Sequence, residues 1–321
     1  MIGVLLTNLG TPDSPEPKAV RAYLKQFLSD PRVIEIPTLV WQPILRGVIL
    51  RTRPKKSAHA YKLVWSEEGS PLAAITARQA KALQAALPDV RVDYAMRYGR
   101  PAIADRVAAL KREGCERILL APLYPQYCAA TTATANDAAF AQLASMRWQP
   151  AVRILPPYYD DPAYIAALKA SVEASLAGLD FEPEAIVASF HGMPERTRML
   201  GDPYYDQCLA TARLLSEALG RELVVAFQSR FGRAKWLGPA TDVTLAGLPT
   251  KGVKRVAIVA PGFSADCLET LEELAIRGRE TFLDAGGTDF AYLPCLNDSG
   301  PGMAMLRTVV ARELAGWLKA S

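Results

Sequence analysis

Short apolar segments alternate with amphipathic helical segments along almost the whole chain, and this alternation limits the possible folds more than any other feature. Eight apolar runs bounded by Gly, Pro or polar residues predict buried strands, and residues at helical spacing predict helices between most of them. Strands alternating with helices favour parallel sheets, so the sequence predicts an α/β protein. The predicted strands are Ile2–Thr7, Val92–Met96, Arg117–Ala121, Val152–Leu155, Ala185–Ser189, Leu223–Phe227, Arg255–Ala260 and Phe290–Leu293. The clearest predicted helices are Thr76–Leu87, Ile103–Arg112, Pro162–Ala177 and Tyr204–Leu219.

The predicted strands form two groups of four, and the two groups resemble copies of one unit. Short matches follow the same order in both groups, and this common order predicts a tandem duplication. The stretch from Pro12 to Gly69 spans 57 positions and the stretch from Pro194 to Gly201 spans seven, so the first copy carries an insert at about 13–68. The matches pair Gly10-Thr11-Pro12 with Gly192-Met193-Pro194, Gly69-Ser70-Pro71 with Gly201-Asp202-Pro203, Thr76-Ala77-Arg78 with Thr211-Ala212-Arg213, and Arg97-Tyr98-Gly99-Arg100 with Arg230-Phe231-Gly232-Arg233.

The two copies differ at two positions where chemistry would occur. His191 in the second copy stands where the first copy has Leu9, and Glu269 stands where the first copy has Ala130. Because apolar residues occupy these places in the first copy, the fold itself does not require His or Glu there. His191 also follows a predicted strand, in a turn marked by Gly192, and ligands bind at the carboxyl ends of strands in open α/β sheets.

An imidazole at such a place binds a metal or accepts a proton at neutral pH, since its ordinary pKa is about 6.5. A loop histidine that only bonds to backbone is the alternative, and the contrast with Leu9 favours a chemical role. Glu269 and Glu273 lie four residues apart on a predicted helix, with Glu272 beside them. These carboxylates suit a divalent cation with His191 as the nitrogen ligand, although acidic residues near a helix N-terminus also occur on solvated faces.

The insert joins an apolar segment that contains Trp41 to a basic run that ends at Lys56. This combination suits a cover over a flat apolar ligand that bears carboxylates, and it equally suits contact with an anionic membrane surface. An ordinary amphipathic helix packed on the first domain is the third interpretation. His59, the other histidine, lies among lysines and is predicted to be at the surface.

Bulk properties and missing motifs exclude several classes of function. A net charge of +4 is too small to indicate nucleic-acid binding. No G-x-G-x-x-G follows a strand and no P-loop occurs, so nucleotide chemistry has no support. The five cysteines are widely spaced, which predicts neither a disulfide framework nor a zinc site and favours a reducing compartment. The sequence shows no secretory signal, and no window of about 18 apolar residues predicts a membrane span.

The ordered motifs resemble those of the ferrochelatase family, whose members insert ferrous iron into a porphyrin to make haem. The resemblance covers nearly the whole chain, and the His and Glu motifs in this order are specific. It is carried by Leu6-Thr7-Asn8-Leu9-Gly10-Thr11-Pro12, Gly69-Ser70-Pro71, Arg97-Tyr98, Tyr124-Pro125-Gln126-Tyr127, Ser189-Phe190-His191-Gly192-Met193-Pro194, Gly201-Asp202-Pro203-Tyr204, Gln228-Ser229-Arg230, Trp236-Leu237-Gly238-Pro239 and Asp266-Cys267-Leu268-Glu269-Thr270-Leu271.

The resemblance implies two similar Rossmann-like domains, each a four-stranded parallel sheet flanked by helices, at 1–160 and 161–302, with a porphyrin cleft between them. A C-terminal helix at 303–321 is implied to pack back on the first domain. His191 and Glu269 take the family's catalytic and metal-site positions, and an acidic path leads away through Glu273 and Glu272. The insert corresponds to a lip over the porphyrin. The residues that fall near family porphyrin contacts are Arg51, Arg53, Tyr61, Ser70 and Trp41.

The implied substrates are Fe²⁺ and protoporphyrin IX, and insertion releases two protons without a redox cofactor. No [2Fe–2S] cluster is expected, because no cysteine follows Cys295, and Cys267 stands where many members carry a second histidine. The implied protein is cytoplasmic and a monomer or weak homodimer, with loose contact of 39–56 to the inner face of the membrane left open. The alternatives are coproporphyrin as the substrate, cobalt or nickel as the metal, and a non-catalytic haem- or solute-binding protein. The residues do not divide the metal and proton roles between His191 and Glu269.

Overall fold

The computed structural model describes residues 1–232 and 234–318, and all eight predicted strands are present in it. They are β1 (Ile2–Gly10), β2 (Arg91–Tyr98), β3 (Arg117–Pro122), β4 (Ala151–Ile154), β5 (Ala185–His191), β6 (Leu223–Gln228), β7 (Arg255–Val259) and β8 (Asp289–Leu293). His191 is the last residue of β5, rather than part of the following turn, because it still pairs with Gln228 of β6.

The strands form two parallel four-stranded sheets, with the orders β2-β1-β3-β4 and β6-β5-β7-β8. The interior strands are continuous apolar runs, as expected for parallel sheets covered on both faces. Leu5 in β1 and Val187 in β5 are fully buried, and burying such a side chain stabilises a fold by about 1.5–3 kcal/mol. The predicted α/β class, with two similar parallel sheets flanked by helices, is confirmed.

Helices connect and flank the strands, and three of the four predicted helices have the predicted bounds. The fourth begins earlier, at Pro71, because a proline is favourable at the first helical position. The α-helices are α1 (Pro17–Leu28), α2 (Thr38–Ile44), α3 (Leu50–Val64), α4 (Pro71–Ala86), α5 (Ile103–Arg112), α6 (Thr134–Ala144), α7 (Pro162–Ala177), α8 (Glu195–Met199), α9 (Tyr204–Leu219), α10 (Thr241–Gly247), α11 (Arg279–Asp284) and α12 (Gly300–Glu313). The described residues also form three π-helices, Leu45–Ile49, Ala129–Ala133 and Glu269–Gly278, and a 3₁₀ turn, Pro249–Lys251.

The chain divides into two compact units. The first unit contains Met1–Tyr124, Cys128–Pro156 and the segment that begins at Leu306. The second unit contains Pro125–Tyr127 and Pro157–Met305. The C-terminal helix α12 (Gly300–Glu313) therefore begins in the second unit and belongs to the first unit from Leu306 onward. Of the predicted helix 303–321, residues 319–321 lie outside the described part of the chain, as does Arg233 of the matched motif.

The insert of the first unit folds as helices α1 to α3 with their own small core. Trp41 is 7% exposed and packs with Leu28, Leu45 and Leu50, and its indole Nε1 donates to the main-chain oxygen of Leu28 at 2.6 Å. Because burial of the indole is matched by a hydrogen bond, Trp41 anchors the insert from the inside.

Strand pairing sets the correspondence between the two copies. Asn8 pairs with Met96 in the first sheet, and Phe190 pairs with Phe227 in the second. The main-chain N–H groups of Met96 and Phe227 both donate to the oxygen of a following proline. By this register Arg97 corresponds to Gln228, so the match of Arg97 with Arg230 is wrong by two residues. The sequence from Phe227 to Pro239 is longer than that from Met96 to Pro101, which shifted the match.

Candidate metal and catalytic centre

His191 is half-buried at the carboxyl end of β5 in the second unit. Its Nδ1 lies 2.8 Å from the main-chain oxygen of Gly192. A carbonyl oxygen only accepts hydrogen bonds, so Nδ1 carries the proton and the lone pair of the neutral ring is on Nε2. The Phe263 ring lies beside it, with centroids 6.5 Å apart. This orientation leaves the Nε2 lone pair available for a metal or a proton.

Glu269 is the first residue of the π-helix Glu269–Gly278 and is half-buried. Its main-chain oxygen accepts a hydrogen bond from the amide Nε2 of Gln228 at 2.7 Å. Burial, and then the charge of Glu269, raise the pKa of the Cys267 thiol well above its ordinary value. The thiol therefore stays protonated at neutral pH.

Glu273 lies one turn after Glu269, and both of its carboxylate oxygens accept hydrogen bonds from Ser229. The Ser229 N–H donates to Oε1 at 2.8 Å, and its hydroxyl donates to Oε2 at 2.5 Å. Ser229 has a φ of 63°, in the left-handed region that residues other than glycine rarely adopt. Glu273 thus holds the turn that directly follows β6.

Glu272 pairs with Arg277, whose Nε donates to its carboxylate at 2.9 Å. The two residues are five positions apart, a spacing that brings side chains together on a π-helix and not on an α-helix. Arg277 also lies 3.9 Å from the carboxylate of Glu273. Glu273 and Arg277 line a polar cavity of about 560 Å³ in the second unit, which Arg230 and Asp242 also line.

Asp266 stabilises the loop that precedes this π-helix. It is 6% exposed and accepts hydrogen bonds from Thr270, Tyr292 and Asn297 at 2.5–3.0 Å. Its own N–H donates to the Asn297 side chain at 2.8 Å. The buried charge is thus compensated by several donors, which fixes the start of the segment that carries Glu269.

The candidate porphyrin residues of the first unit fall into two groups. Arg51 and Arg53 are exposed on α3. Trp41, Tyr61 and Ser70 are all less than 8% exposed. Tyr61 packs edge-on against Trp65, and Ser70 accepts a hydrogen bond from Thr11 at 2.8 Å. His59 is exposed on α3, as predicted.

Two polar arrangements were missed by sequence reasoning. In the first unit, Asp30 accepts hydrogen bonds from Arg97, Tyr98 and Thr134, beside a cavity of about 830 Å³. In the second unit, the side chain of Gln228 bonds to the backbone of Glu269, and its backbone pairs with that of His191. The ordered motifs contained Arg97, Tyr98 and Gln228, but no sequence pattern indicated their partners.

Three further features of the structure concern metal ligands, membrane spans and thiols. Within residues 1–232 and 234–318, no three His, Cys, Asp or Glu side chains are grouped so that they could hold a metal ion. Among the helices of the same residues, none has both the length and the apolar character needed to cross a membrane. All five cysteines are buried free thiols.

Solved structures share this fold. SirB from Bacillus subtilis with Fe³⁺ has a TM-score of 0.60 at 13% identity, and the match covers 98% of this chain and 96% of that one. The sirohydrochlorin chelatase SirB from Bacillus subtilis subspecies spizizenii in complex with cobalt has a TM-score of 0.56 at 12% identity, with the same coverage. At these identities the likeness concerns the fold alone, and this fold is that of chelatases.

Sequence comparison identifies the family. The ferrochelatase family model matches residues 1–314. The ferrochelatase of Rhizobium meliloti (strain 1021) is 56% identical over 325 residues, covering 99% of this chain and 96% of the relative. That of Agrobacterium fabrum (strain C58 / ATCC 33970) is 55% identical, covering 99% and 94%. The chain belongs to the ferrochelatase family, and the resemblance predicted from the motifs is confirmed.

Proposed function

We propose that this protein inserts Fe²⁺ into protoporphyrin IX, with release of the two pyrrole protons. The observation that carries the proposal is the arrangement in the second unit of a chain that belongs to the ferrochelatase family. The Nδ1 contact of His191 with the Gly192 oxygen leaves its Nε2 available. Glu269 begins the π-helix, and its main-chain oxygen accepts a hydrogen bond from Gln228. Gln228 is also the β6 residue that pairs with His191 of β5. The exchange of one Fe²⁺ for two protons changes no oxidation state, so it requires no redox cofactor.

In this proposal His191 and Glu269 bind the incoming Fe²⁺ and accept the pyrrole protons. A neutral imidazole and a carboxylate suit a borderline cation such as Fe²⁺. The same two groups are general bases for the pyrrole N–H groups, so the metal and proton roles are proposed for the pair rather than divided between its members. Glu273 and Glu272 then form the acidic path away from the centre, which the cavity beside Glu273 supports.

For the porphyrin, we assign the carboxylate contacts to Arg51 and Arg53, because exposed guanidinium groups pair with carboxylates in bidentate geometry. Trp41, Tyr61 and Ser70 are buried, which supports a role beneath the binding surface. Replacing either arginine with glutamine should raise the porphyrin KM and leave the KM for Fe²⁺ unchanged. An unchanged porphyrin KM in both variants would remove this assignment.

The insert also supports a loose contact with an anionic membrane, on a protein that we place in the cytoplasm. Leu39 is 92% exposed, and Val40 and Val48 are more than half exposed. The basic helix α3 follows them directly in the chain, and apolar and basic side chains together bind anionic lipid surfaces. Co-sedimentation with phosphatidylglycerol vesicles should exceed that with phosphatidylcholine vesicles, and equal sedimentation would reject the contact.

An anaerobic assay tests the insertion. Purified protein, Fe²⁺ and protoporphyrin IX should give a haem absorption spectrum, with parallel reactions containing coproporphyrin, Co²⁺ or Ni²⁺ to define the preferred substrates. His191→Ala and Glu269→Gln should each lower kcat by at least about 100-fold, because each removes a group that contacts the metal or the proton. His59→Ala, which changes the exposed histidine, is the control and should turn over normally.

The outcomes separate the alternatives. Full turnover in His191→Ala or Glu269→Gln would remove that residue from the proposed centre. Tight haem binding without insertion of any metal would favour a non-catalytic binding protein. We also propose that turnover requires no [2Fe–2S] cluster, and visible absorption of the active protein together with its iron content tests this. Sedimentation at assay concentration distinguishes a monomer from a weak homodimer.

A further inference from the structure

We propose that Gln228 is a positioning residue, which fixes Glu269 relative to His191 through a buried relay of hydrogen bonds. The relay consists of Gln228, Ser189 and Thr241, and it lies wholly within the second unit. The inference rests on the proposed function, because its consequence is measured in metal insertion.

The contacts of Gln228 reach both elements of the centre. Its Nε2 donates to the main-chain oxygen of Glu269 at 2.7 Å. Its Oε1 accepts from the Ser189 hydroxyl at 2.9 Å, and Ser189 Oγ lies 2.8 Å from Thr241 Oγ1. Its main-chain oxygen accepts from the N–H of Gly192, directly after His191, at 2.8 Å.

The relay is buried and therefore well defined. Ser189, Gln228 and Thr241 are at most 3% exposed. Ser189 lies two residues before His191 on β5, so both side chains point to the same face of the sheet. In a buried environment a satisfied network holds each side chain in one rotamer. Glu269 is thereby tied, through its own backbone, to the strand that carries His191.

The first copy shows that the fold does not need this relay. By the register of the strands and the matched glycines, Thr7 corresponds to Ser189 and Arg97 to Gln228. The Thr7 hydroxyl is buried without a hydrogen-bond partner among the described residues. Arg97 instead bonds to Asp30 and Thr134. The relay thus occurs in the copy that carries His191 and Glu269, which indicates a role in the centre rather than in the sheet.

Loss of the relay should misplace Glu269 without removing it. Without the Gln228 donor, the carbonyl at the start of the π-helix loses its side-chain partner, and the helix start moves relative to His191. Outer residues that orient metal ligands affect activity or metal affinity by about 10–100-fold. The porphyrin surface assigned to the first unit contains none of the relay residues, so the porphyrin KM should not change.

The test replaces Gln228 with methionine, which has similar volume and no amide. Gln228→Met should lower kcat by about 10–100-fold and raise the KM for Fe²⁺, with the porphyrin KM unchanged. Thr241→Val and Ser189→Ala should move the same quantities in the same direction by smaller factors. Thr7→Val is the matched control, since it removes a buried hydroxyl that bonds to none of the described residues, and it should leave kcat and both KM values unchanged.

Several results would overturn the proposal. One is a folded Gln228→Met protein with the kcat and Fe²⁺ KM of the parent chain; another is an equal loss in Thr7→Val. If Gln228→Met does not fold, judged by circular dichroism, Thr241→Val and Ser189→Ala decide, and unchanged constants in both reject the relay. If the parent protein shows no insertion, the proposed function fails. Co²⁺ affinity, measured by titration calorimetry, then tests the relay alone, and equal affinities of the parent and Thr241→Val reject it.

Discussion

At the scale of single residues, the carboxylates of this chain differ in how their charge is compensated. Asp30 and Asp266 are almost fully buried, and several donors surround each of them. Glu269 is half-buried and neighbours the Cys267 thiol, which remains protonated. A buried carboxylate with its bonding capacity filled stabilises local structure, whereas a less enclosed one is available to a metal or a proton.

The Asp30 cluster leads to a pH-dependent prediction for stability. Burial alone would raise the pKa of Asp30, but hydrogen bonds from Thr134, the Arg32 N–H and Tyr98, together with the charge of Arg97, lower it below its ordinary value of 3.8. Because the pKa of Asp30 is lower in the folded than in the unfolded chain, its ionised carboxylate stabilises the fold at pH values above the unfolded-state pKa of about 3.9. This stabilisation is lost as the pH falls through the folded-state pKa. Asp30→Asn should therefore reduce the free energy of unfolding at pH 7 by about 1–3 kcal/mol.

Urea denaturation of Asp30→Asn and the parent protein at pH 7, 4 and 3 checks this. The difference between the two proteins should shrink as the pH falls below about 4. Asp137→Asn is the control, because Asp137 pairs with Arg32 at the surface, half exposed, and such pairs contribute less than about 1 kcal/mol. A difference for Asp30→Asn that is constant from pH 7 to pH 3 would contradict the linkage.

At the scale of elements, π-helices occupy matching places in the two copies. Ala129–Ala133 follows β3 in the chain and Glu269–Gly278 follows β7. The first has Ala130 where the second has Glu269, so the π-helix belongs to the shared fold and the carboxylate is added to it. The wider π turn also allows the pair between Glu272 and Arg277.

The end of α12 gives a prediction for an element. The Arg153 guanidinium donates to the main-chain oxygens of Glu313 and Ala315 at 2.7 and 2.8 Å, and it stacks on the Trp317 ring at 4.3 Å. These bonds satisfy carbonyls that a helix end leaves without partners. Arg153→Ala should lower the free energy of unfolding by about 1–3 kcal/mol and speed hydrogen exchange in 306–317.

Arg117→Ala is the matched variant, because Arg117 makes one longer bond, of 3.2 Å, to the oxygen of Trp317. Hydrogen–deuterium exchange read by mass spectrometry should show a smaller acceleration for it than for Arg153→Ala. Equal exchange in Arg153→Ala and the parent protein would show that packing alone holds the segment.

At the scale of the whole molecule, the chain returns to the first unit at its C-terminal end. Four apolar side chains of this returning segment are at most 3% exposed: Leu306, Val309, Val310 and Leu314. Each stabilises the fold by about 1.5–3 kcal/mol when fully buried, and domains are stable by only about 5–15 kcal/mol. A chain that ends after Met305 should therefore fail to fold its first unit.

Hydrogen exchange in the strands measures the effect of this truncation. Amides of β1 and β3 should lose protection in the truncated chain, while those of β5 and β7 keep it, since the second unit has its own core around Val187, Ile258 and Leu274. Leu314→Ala is the milder comparison, and it should cost about 2–5 kcal/mol while retaining the first sheet. Protected β1 amides in the truncated chain would refute the prediction.

Much of the fold was predictable from local patterns. All eight strands were found, because continuous apolar runs between turn residues depend only on neighbouring sequence. His191 and Glu269 became candidates because the duplicated sequence supplied an internal comparison with Leu9 and Ala130. Trp41 shows the limit: a short amphipathic segment does not reveal which face packs, and its indole is buried in the core of the insert.

The sequence by itself determined the order of strands and helices, the parallel class of the sheets and the duplication that singles out His191 and Glu269. These depend on residue type and short-range spacing, which are visible in one dimension. The tertiary structure alone decided that Gln228, rather than Arg230, corresponds to Arg97, and that Gln228 connects Glu269 to the strand of His191. Such contacts join residues far apart in the chain, and their geometry follows from strand register and packing, which no local pattern encodes.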